Sequence, residues 1–294
     1  MYVANTNRYD NTIYNRCGRS GLVLPRISLG MWQNFGKNAD YDTMKDIILT
    51  AFDHGITYFD LANNYGPDPG QAEINFGKIF NENLKPYRDE IIIATKAGYE
   101  MWPGPYGGRG GSRKYLTASL DQSLKRMGID YVDIFYHHCL DPDTPLKETA
   151  LCMSDIVRQG KSLYIGMSNY DGKKMHRMYH KCDDYNVPFV VNQNRYNILD
   201  RQVEYNSLKK ECFSKHKGLV AFSPLAQGRL SDKFKNGIPE SSRLYGKPDY
   251  CKSIGLDDAQ LQYISSLCEI ADERGETLSQ MAIQWLLKKG VTSV

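Results

Sequence analysis

The sequence has 294 residues, of which 41% are hydrophobic, and its 37 Lys and Arg nearly balance its 34 Asp and Glu. The net charge of +3 is too small to favour nucleic acid or an anionic membrane as a partner. Neither a secretory signal nor a membrane-spanning apolar run is visible, and the seven cysteines are scattered without a Cys-x-x-Cys motif. These features predict a cytoplasmic protein with no membrane association.

The predicted elements begin, after a polar extension of residues 1–13, with a β-hairpin whose turn is the Gly-Arg-Ser-Gly sequence at 18–21. A first core strand is predicted over residues 25–32, and six more begin near Thr57, Ile91, Val132, Leu163, Phe189 and Leu219. The predicted helices cover 43–54, 72–80, 116–127, 145–159, 173–185, 202–216, 259–274 and 278–289. One strand and one helix about every 30 residues indicate a parallel α/β sheet. Because runs such as 91–94 are apolar throughout, the strands are expected to be covered on both faces.

This alternation predicts a single domain, residues 14–294, with the (β/α)8 TIM barrel fold. A doubly wound α/β sheet is the runner-up. Its dinucleotide fingerprint is missing, because no G-x-G-x-x-G follows a strand and no G-x-x-x-x-G-K-[ST] occurs. The Gly-rich stretch 104–111 fits neither pattern and is predicted to be a flexible loop.

Complementary polar side chains lie at or just after three predicted strand ends: Asp60, Lys96 and the pair His137-His138, with Tyr65 five residues beyond Asp60. In a barrel these ends meet at one rim. Each residue alone has an ordinary structural explanation, but the set favours catalysis. A buried carboxylate needs a partner, so we expect Asp60 to pair with Lys96 and the ammonium to lower the pKa of Tyr65 from about 10. Tyr65 is then suited to protonate a carbonyl that receives a hydride, which requires a nicotinamide.

Six motifs occur in order along the chain: Asp60-Leu-Ala-Asn-Asn-Tyr65-Gly, Ala94-Thr-Lys96-Ala-Gly, Tyr131-Val-Asp-Ile-Phe-Tyr-His-His138, Gly166-Met-Ser168-Asn169, Asn192-Gln193 and Phe222-Ser223-Pro224-Leu225. In this combination the chain resembles the aldo-keto reductases, from about Tyr14 to Val294. Within that family, the stretches 101–107 and 119–128 are similar to the branch that holds potassium-channel β-subunit-like proteins and bacterial L-glyceraldehyde 3-phosphate reductases.

The resemblance implies a catalytic role for four residues. Tyr65 would be the general acid, Asp60 and Lys96 the pair that tunes it, and His138 rather than His137 the histidine beside the carbonyl. The substrate would be a small aldehyde or ketone, such as L-glyceraldehyde 3-phosphate or methylglyoxal. Substrate contacts would come from Trp32, Tyr65, Trp102 and His138.

The cofactor that the resemblance implies is NADPH. Ser168, Asn169 and Gln193 would hold the nicotinamide carboxamide, and Phe222 would stack on the ring. The remaining contacts would be Met31, Trp32 and Asp60 at the cleft, then Ser223, Pro224, Leu225, Gly228, Lys233 and Arg243 around the pyrophosphate and beyond.

The family pattern also continues past Val294 through an eighth strand, a loop that holds the adenosine 2′-phosphate and a final helix. We therefore expect the eighth strand and last helix to be missing or incomplete, which would leave the first and seventh strands with unpaired edges. The choice between NADPH and NADH would be read in that segment. An inactive barrel is accordingly one alternative to the reductase.

A nucleotide-binding regulatory subunit is the other alternative. Channel β-subunits of this branch carry asparagine at the position of His138, so the histidine favours a working reductase. Relatives of the branch are often multimeric, so a homo-oligomer is compatible with the sequence.

Two further clusters resemble functional sites. His176, His180 and Asp184 have the i, i+4, i+8 spacing of a metal site, but a solvent-exposed helix face explains them at least as well, so no metal is predicted. Asp141 and Asp143 resemble paired glycosidase carboxylates, but the neighbouring prolines favour a turn and a helix start.

Overall fold

The computed structural model describes residues 2–240, 242, 244–253 and 255–294. The predicted hairpin is present, with β1 (Tyr14–Arg16) antiparallel to β2 (Val23–Pro25). Its turn contains Gly18 at φ +59°, where an added Cβ would lie 1.9 Å from the carbonyl oxygen of His216. Glycine is therefore required there. The hairpin's buried side chains, Cys17, Leu22 and Leu24, pack against the barrel interior and close the end where the strands begin.

Seven parallel strands follow in sequential order around a barrel. They are β3 (Leu29–Gly30), β4 (Tyr58–Asp60), β5 (Ile92–Ala97), β6 (Val132–His137), β7 (Ser162–Ser168), β8 (Phe189–Arg195) and β9 (Gly218–Phe222). The α/β barrel prediction is confirmed. The first core strand is shorter than the predicted 25–32, because Pro25 pairs with Tyr14 in the hairpin.

Residues 292–294 pair with both ends of this strand order. The Thr292 N–H donates to the Leu219 carbonyl (2.7 Å), and the Ala221 N–H donates to the Ser293 carbonyl (3.0 Å). On the other side, the Val294 N–H donates to the Arg26 carbonyl (3.0 Å), and the Ser28 N–H donates to the Val294 carbonyl (2.7 Å). The expectation that the first and seventh strands would keep unpaired edges is therefore wrong, because three residues supply hydrogen bonds to both.

Helices cover the outside of the barrel close to their predicted positions. They are α1 (Tyr41–Asp53), α2 (Gln71–Ile79), α3 (Arg113–Met127), α4 (Leu146–Arg158), α5 (Gly172–Asp184), α6 (Gln202–Tyr205), α7 (Leu208–Ser214), α8 (Pro248–Ser253), α9 (Asp258–Glu273) and α10 (Leu278–Lys288). A π-helical turn (Phe80–Leu84) and a 3-10 helix (Lys85–Glu90) extend α2. None of the described helices combines the length and apolarity needed to span a membrane.

The predicted helix over 202–216 is broken into α6 and α7. Ser207 adopts φ +65°, and the side chain of Asn206 accepts a hydrogen bond from the Leu208 N–H (3.0 Å). The Asn206 carbonyl also accepts from the Gly172 N–H of α5 (3.1 Å), so it is not available for a continuous helix. A tertiary contact thus overrides the local helical pattern.

Candidate active site

Parallel pairing brings the predicted polar residues to one rim of the barrel. Asp60 is the last residue of β4, Lys96 is the next-to-last residue of β5, and His138 directly follows β6. Tyr65 is placed by the turn after β4, where the neighbouring Gly66 N–H donates to the Trp32 carbonyl (3.1 Å). The loops after the first two barrel strands are thereby tied together beside the tyrosine.

Lys96 is fully buried and forms the expected ion pair with Asp60. Its Nζ lies 2.5 Å from Asp60 Oδ2 and donates to the Leu61 carbonyl at 2.8 Å. The same nitrogen lies 3.4 Å from the hydroxyl of Tyr65. The ammonium therefore bridges the carboxylate and the phenol, which is the arrangement predicted from the strand ends.

Three further side chains support Asp60 from inside the barrel. The Tyr58 hydroxyl donates to Asp60 Oδ1 (3.0 Å) and lies 2.9 Å from the hydroxyl of Tyr136. The Gln193 amide donates to the same carboxylate oxygen (2.9 Å). Both oxygens of Asp60 are thus occupied, which offsets the cost of burying the charge. Tyr58 and Tyr136 were not selected from the sequence, because a tyrosine within an apolar strand normally indicates packing.

The electrostatics of Tyr65 differ from the expectation. Burial raises the pKa of Tyr65 well above its ordinary value, and the negative charge of Asp60 raises it further. Burial also lowers the pKa of Lys96, although Asp60 opposes that shift. The predicted lowering of the Tyr65 pKa is therefore not found, because burial and the negative charge of Asp60 both raise it. Tyr65 holds its proton at neutral pH, as an acid must before it reacts.

His138 faces Tyr65, with their ring centroids 5.8 Å apart. Burial lowers the pKa of His138 well below its ordinary value, and the charge of Lys96 lowers it further, so the ring is neutral at neutral pH. Its buried Nδ1 has no hydrogen-bond partner among the described residues. By contrast, His137 is held in the wall by Tyr170, whose hydroxyl lies 2.7 Å from its Nδ1. The two histidines therefore have different surroundings, with His138 against Tyr65 and His137 bound to Tyr170.

The residues expected to hold a nicotinamide follow the next strands around the rim. Ser168 ends β7 and pairs in register with Gln193 of β8, and Phe222 ends β9. The Asn169 amide donates to the His138 carbonyl (3.0 Å). Asn169 and Ser223, each just beyond a strand end, have φ values of +58° and +54°. Left-handed conformations of non-glycine residues cluster at ligand-binding turns.

The chain after β9 forms the expected loop next to these residues. Ser223, Pro224 and Leu225 are partly exposed, and Gly228 has φ +92° with open space where a Cβ would stand. Lys233 is exposed in a 3-10 turn (Asp232–Phe234). Arg243 lies outside the described residues. The loop thus presents backbone and a lysine to solvent at the side of the rim where the cofactor was expected.

Aromatic rings form the wall above Tyr65 and His138. Trp32 is half exposed and lies 6.5 Å from Tyr65 between ring centroids, whereas Met31 is fully buried. Trp102 packs on Tyr115, 5.4 Å away. The ring that contacts His138 directly is Tyr99, at 4.6 Å, which was not selected because it lies in a loop without a strand or helix pattern.

The two further clusters noted in the sequence, around His176 and around Asp141, make hydrogen bonds and ion pairs with neighbouring residues. His176 binds Glu211 (2.7 Å), and Asp184 binds Lys181 (2.8 Å). Among the described residues no group of His, Cys, Asp and Glu is arranged to hold a metal ion. Asp141 accepts hydrogen bonds from the Gly111 and Asp143 N–H groups (2.9 and 3.0 Å), so it anchors a loop, as its proline-rich context indicated.

A barrel with these polar residues at one rim is typical of oxidoreductases that act on small carbonyl compounds with a nicotinamide cofactor. The sequence model of the aldo/keto reductase family matches residues 26–294. The chain belongs to that family.

Three known proteins show how similar its relatives are. L-glyceraldehyde 3-phosphate reductase from Escherichia coli O157:H7 is 49% identical, over 100% of this chain and 86% of its own length. A probable voltage-gated potassium channel subunit beta from Arabidopsis thaliana is 36% identical, over 92% of this chain and 82% of its own. The crystal structure of the thermostable aldo-keto reductase Tm1743 with the inhibitor epalrestat has a TM-score of 0.73 at 31% identity, covering 96% of this chain and 87% of that one.

Proposed function

We propose that this protein reduces small aldehydes, of which L-glyceraldehyde 3-phosphate and methylglyoxal are the leading candidates, with NADPH as the hydride donor. The observation that carries the proposal is the position of Lys96 Nζ, 2.5 Å from Asp60 and 3.4 Å from the Tyr65 hydroxyl. His138 faces the same phenol. A cytoplasmic location, expected from the sequence, is part of the proposal, and a homo-oligomeric form is compatible with it.

The polar residues on the rim suit a nicotinamide. Ser168, Asn169 and Gln193 offer a hydroxyl and two amides on neighbouring strand ends, which is the donor and acceptor set that a carboxamide requires. The Gln193 amide nitrogen is bound to Asp60, so its carbonyl oxygen would face the carboxamide N–H. Phe222 would stack on the ring, and the loop 223–233 would hold the pyrophosphate.

In this proposal the bound cofactor supplies a hydride to the carbonyl carbon. Tyr65 and His138 would hold the carbonyl oxygen between them and orient it. Tyr65 would donate its proton to that oxygen as negative charge develops there. Lys96 would stabilise the resulting phenolate, because its ammonium lies beside the hydroxyl and is held by Asp60. The raised pKa of Tyr65 keeps the acid protonated until the substrate oxygen becomes basic.

A regulatory nucleotide-binding subunit is the second candidate, favoured by the similarity to the Arabidopsis channel subunit. Such a protein would bind the cofactor without turnover. The neutral imidazole of His138 against Tyr65 supports the reductase instead.

The test is a fluorescence titration with NADPH followed by NADPH oxidation with methylglyoxal and glyceraldehyde 3-phosphate. We expect binding and turnover. Tyr65→Phe should abolish reduction and leave NADPH affinity largely intact, because only the proton donor is removed. Binding without turnover by the wild type would favour the regulatory role, and near-full turnover by Tyr65→Phe would exclude the assigned acid.

A further inference from the structure

Tyr99 is placed between the reacting centre and the outer part of the cleft. Its ring stands edge-on to the ring of His138, with 4.6 Å between the centroids, so Tyr99 forms part of the wall of the site. Its hydroxyl lies 3.5 Å from the Asn169 amide nitrogen. The half-buried phenol therefore lies on the rim next to Asn169 and His138, where the remainder of a substrate held at Tyr65 would pass.

Two arginines converge on this tyrosine from different elements. Arg109, in the loop before α3, has its guanidinium carbon 5.7 Å from the Tyr99 ring centroid. Arg195 is the last residue of β8, and its guanidinium lies 5.8 Å from the Phe222 ring. Burial raises the pKa of Tyr99, and the charges of both Arg109 and Arg195 oppose that rise, which agrees with their positions near its hydroxyl.

The positive charge at this point is not cancelled by close ion pairs. In the described part of the chain, no carboxylate lies within 4.0 Å of the Arg109 guanidinium, which instead contacts the uncharged thiol of Cys139. Asp141, an acid whose charge acts on Arg109, accepts hydrogen bonds from backbone N–H groups and from Thr144. Arg195 meets Asp200 only at 4.0 Å, in an exposed position. Both guanidinium groups therefore keep donors for an anion.

The loop that carries Arg109 is held in a defined position. The Tyr115 hydroxyl donates to the Tyr99 carbonyl, and the Gly110 N–H donates to the Gly98 carbonyl (3.0 Å). The Asp141 carboxylate accepts from the Gly111 N–H (2.9 Å). The Gly-rich loop is thus tied to neighbouring elements through Gly110 and Gly111, directly after Arg109, and an anchored loop binds an anion at a smaller entropic cost.

We infer that Arg109, Arg195 and the Tyr99 hydroxyl form a subsite for the phosphate group of a three-carbon aldehyde whose carbonyl lies between Tyr65 and His138. Guanidinium groups match phosphate with paired, charge-assisted hydrogen bonds. Arg109 lies beside Tyr99, which in turn contacts His138, so its guanidinium stands one side chain beyond that histidine, where the far end of such a substrate would lie. This inference rests on the proposed reductase function and selects, among its substrates, the phosphorylated aldehyde over methylglyoxal.

The test compares two substrates that differ only in the phosphate, glyceraldehyde 3-phosphate and glyceraldehyde. We expect the ratio of their kcat/KM values to fall on the order of tenfold in Arg109→Gln and in Arg195→Gln, and further in the double variant, because each change removes a charged hydrogen bond. The matched control is Arg158→Gln on α4, 71% exposed and 3.9 Å from Asp155, which should leave the ratio unchanged. Tyr99→Phe should lower the ratio less, because it removes an uncharged donor.

A binding measurement makes the inference independent of turnover. Calorimetric titration of the NADP+ complex with glycerol 3-phosphate, the alcohol product, should show binding. The Arg109 and Arg195 variants should bind it more weakly, by about the same factor as the fall in their kcat/KM ratio. An unchanged substrate ratio in both variants, or a wild type that binds glycerol 3-phosphate no better than glycerol, would overturn the subsite. If no aldehyde is reduced, the proposed reductase function fails, while the glycerol 3-phosphate titration still decides whether the subsite exists.

Discussion

Removal of the ammonium of Lys96 tests the energetics of the site. Lys96→Met keeps the aliphatic stem but deletes the charge, and the side chain is 0% exposed while that of Asp60 is 11% exposed. The variant leaves a buried carboxylate without its counter-ion, and breaking a buried pair in this way costs about 3–5 kcal/mol. The total stability of a domain is about 5–15 kcal/mol, so the predicted loss is a large part of it.

A second substitution separates the loss of the ion pair from the cost of leaving the buried Asp60 carboxylate charged and unpaired. In Asp60→Asn/Lys96→Met both charges are gone, and the Tyr58 and Gln193 contacts at Oδ1 still have an oxygen to bind. We expect the double variant to be more stable than Lys96→Met by roughly 1–3 kcal/mol, which is the cost of leaving a buried polar group without its partner.

Urea unfolding measures the free energies, and a surface pair supplies the control. Lys161 and Asp121 are 2.7 Å apart with side chains 30% and 49% exposed, so Lys161→Met should cost less than about 1 kcal/mol. A Lys96→Met protein within 1 kcal/mol of wild type would refute the reasoning, since the carboxylate would then be tolerated alone. A double variant that is less stable than Lys96→Met would refute it as well.

Two other predictions concern stability. Burial lowers the pKa of His137 from 6.5 to about 4, so the folded protein binds fewer protons than the unfolded chain between these pH values, and stability present above pH 6.5 is lost as the pH falls. The loss reaches about 3 kcal/mol near pH 4. When urea unfolding is measured across this range, the free energy of unfolding should fall less steeply with decreasing pH in His137→Asn than in the wild type. An equally steep fall would assign the effect to other groups. Thr277 caps α10 in a capping box with Gln280, so Thr277→Ala should cost about 1 kcal/mol, and Ser279→Ala, outside that box, should cost less in the same assay.

The parts of the site that follow from local rules were predictable from the sequence. Strand ends in a parallel barrel converge, so Asp60, Lys96 and His138 could be placed together without coordinates. The need to pair a buried carboxylate then identified Lys96 as its partner. The structure confirms that pairing through a 2.5 Å contact.

The parts that depend on tertiary packing were not predictable. Tyr58 has no signal that separates a hydrogen-bonding role from core packing, since its hydroxyl meets that of Tyr136, on β6, only once the strands assemble. Arg109 lies in a loop whose position depends on Tyr115 and Asp141, which are distant in sequence or belong to other elements. The pKa of Tyr65 depends on a balance of burial and charge that a list of neighbours does not give.

The pairing of residues 292–294 with both sides of the barrel has a consequence for synthesis. The Ser28 hydroxyl and the Val294 carbonyl that it reaches are separated by 266 positions, so the contact waits until nearly the whole described chain has left the ribosome. Until then, β3 and β9 each present an open edge to the crowded cell, and such edges recruit other strands. We expect nascent chains of this protein to depend on chaperone shielding until that late stage.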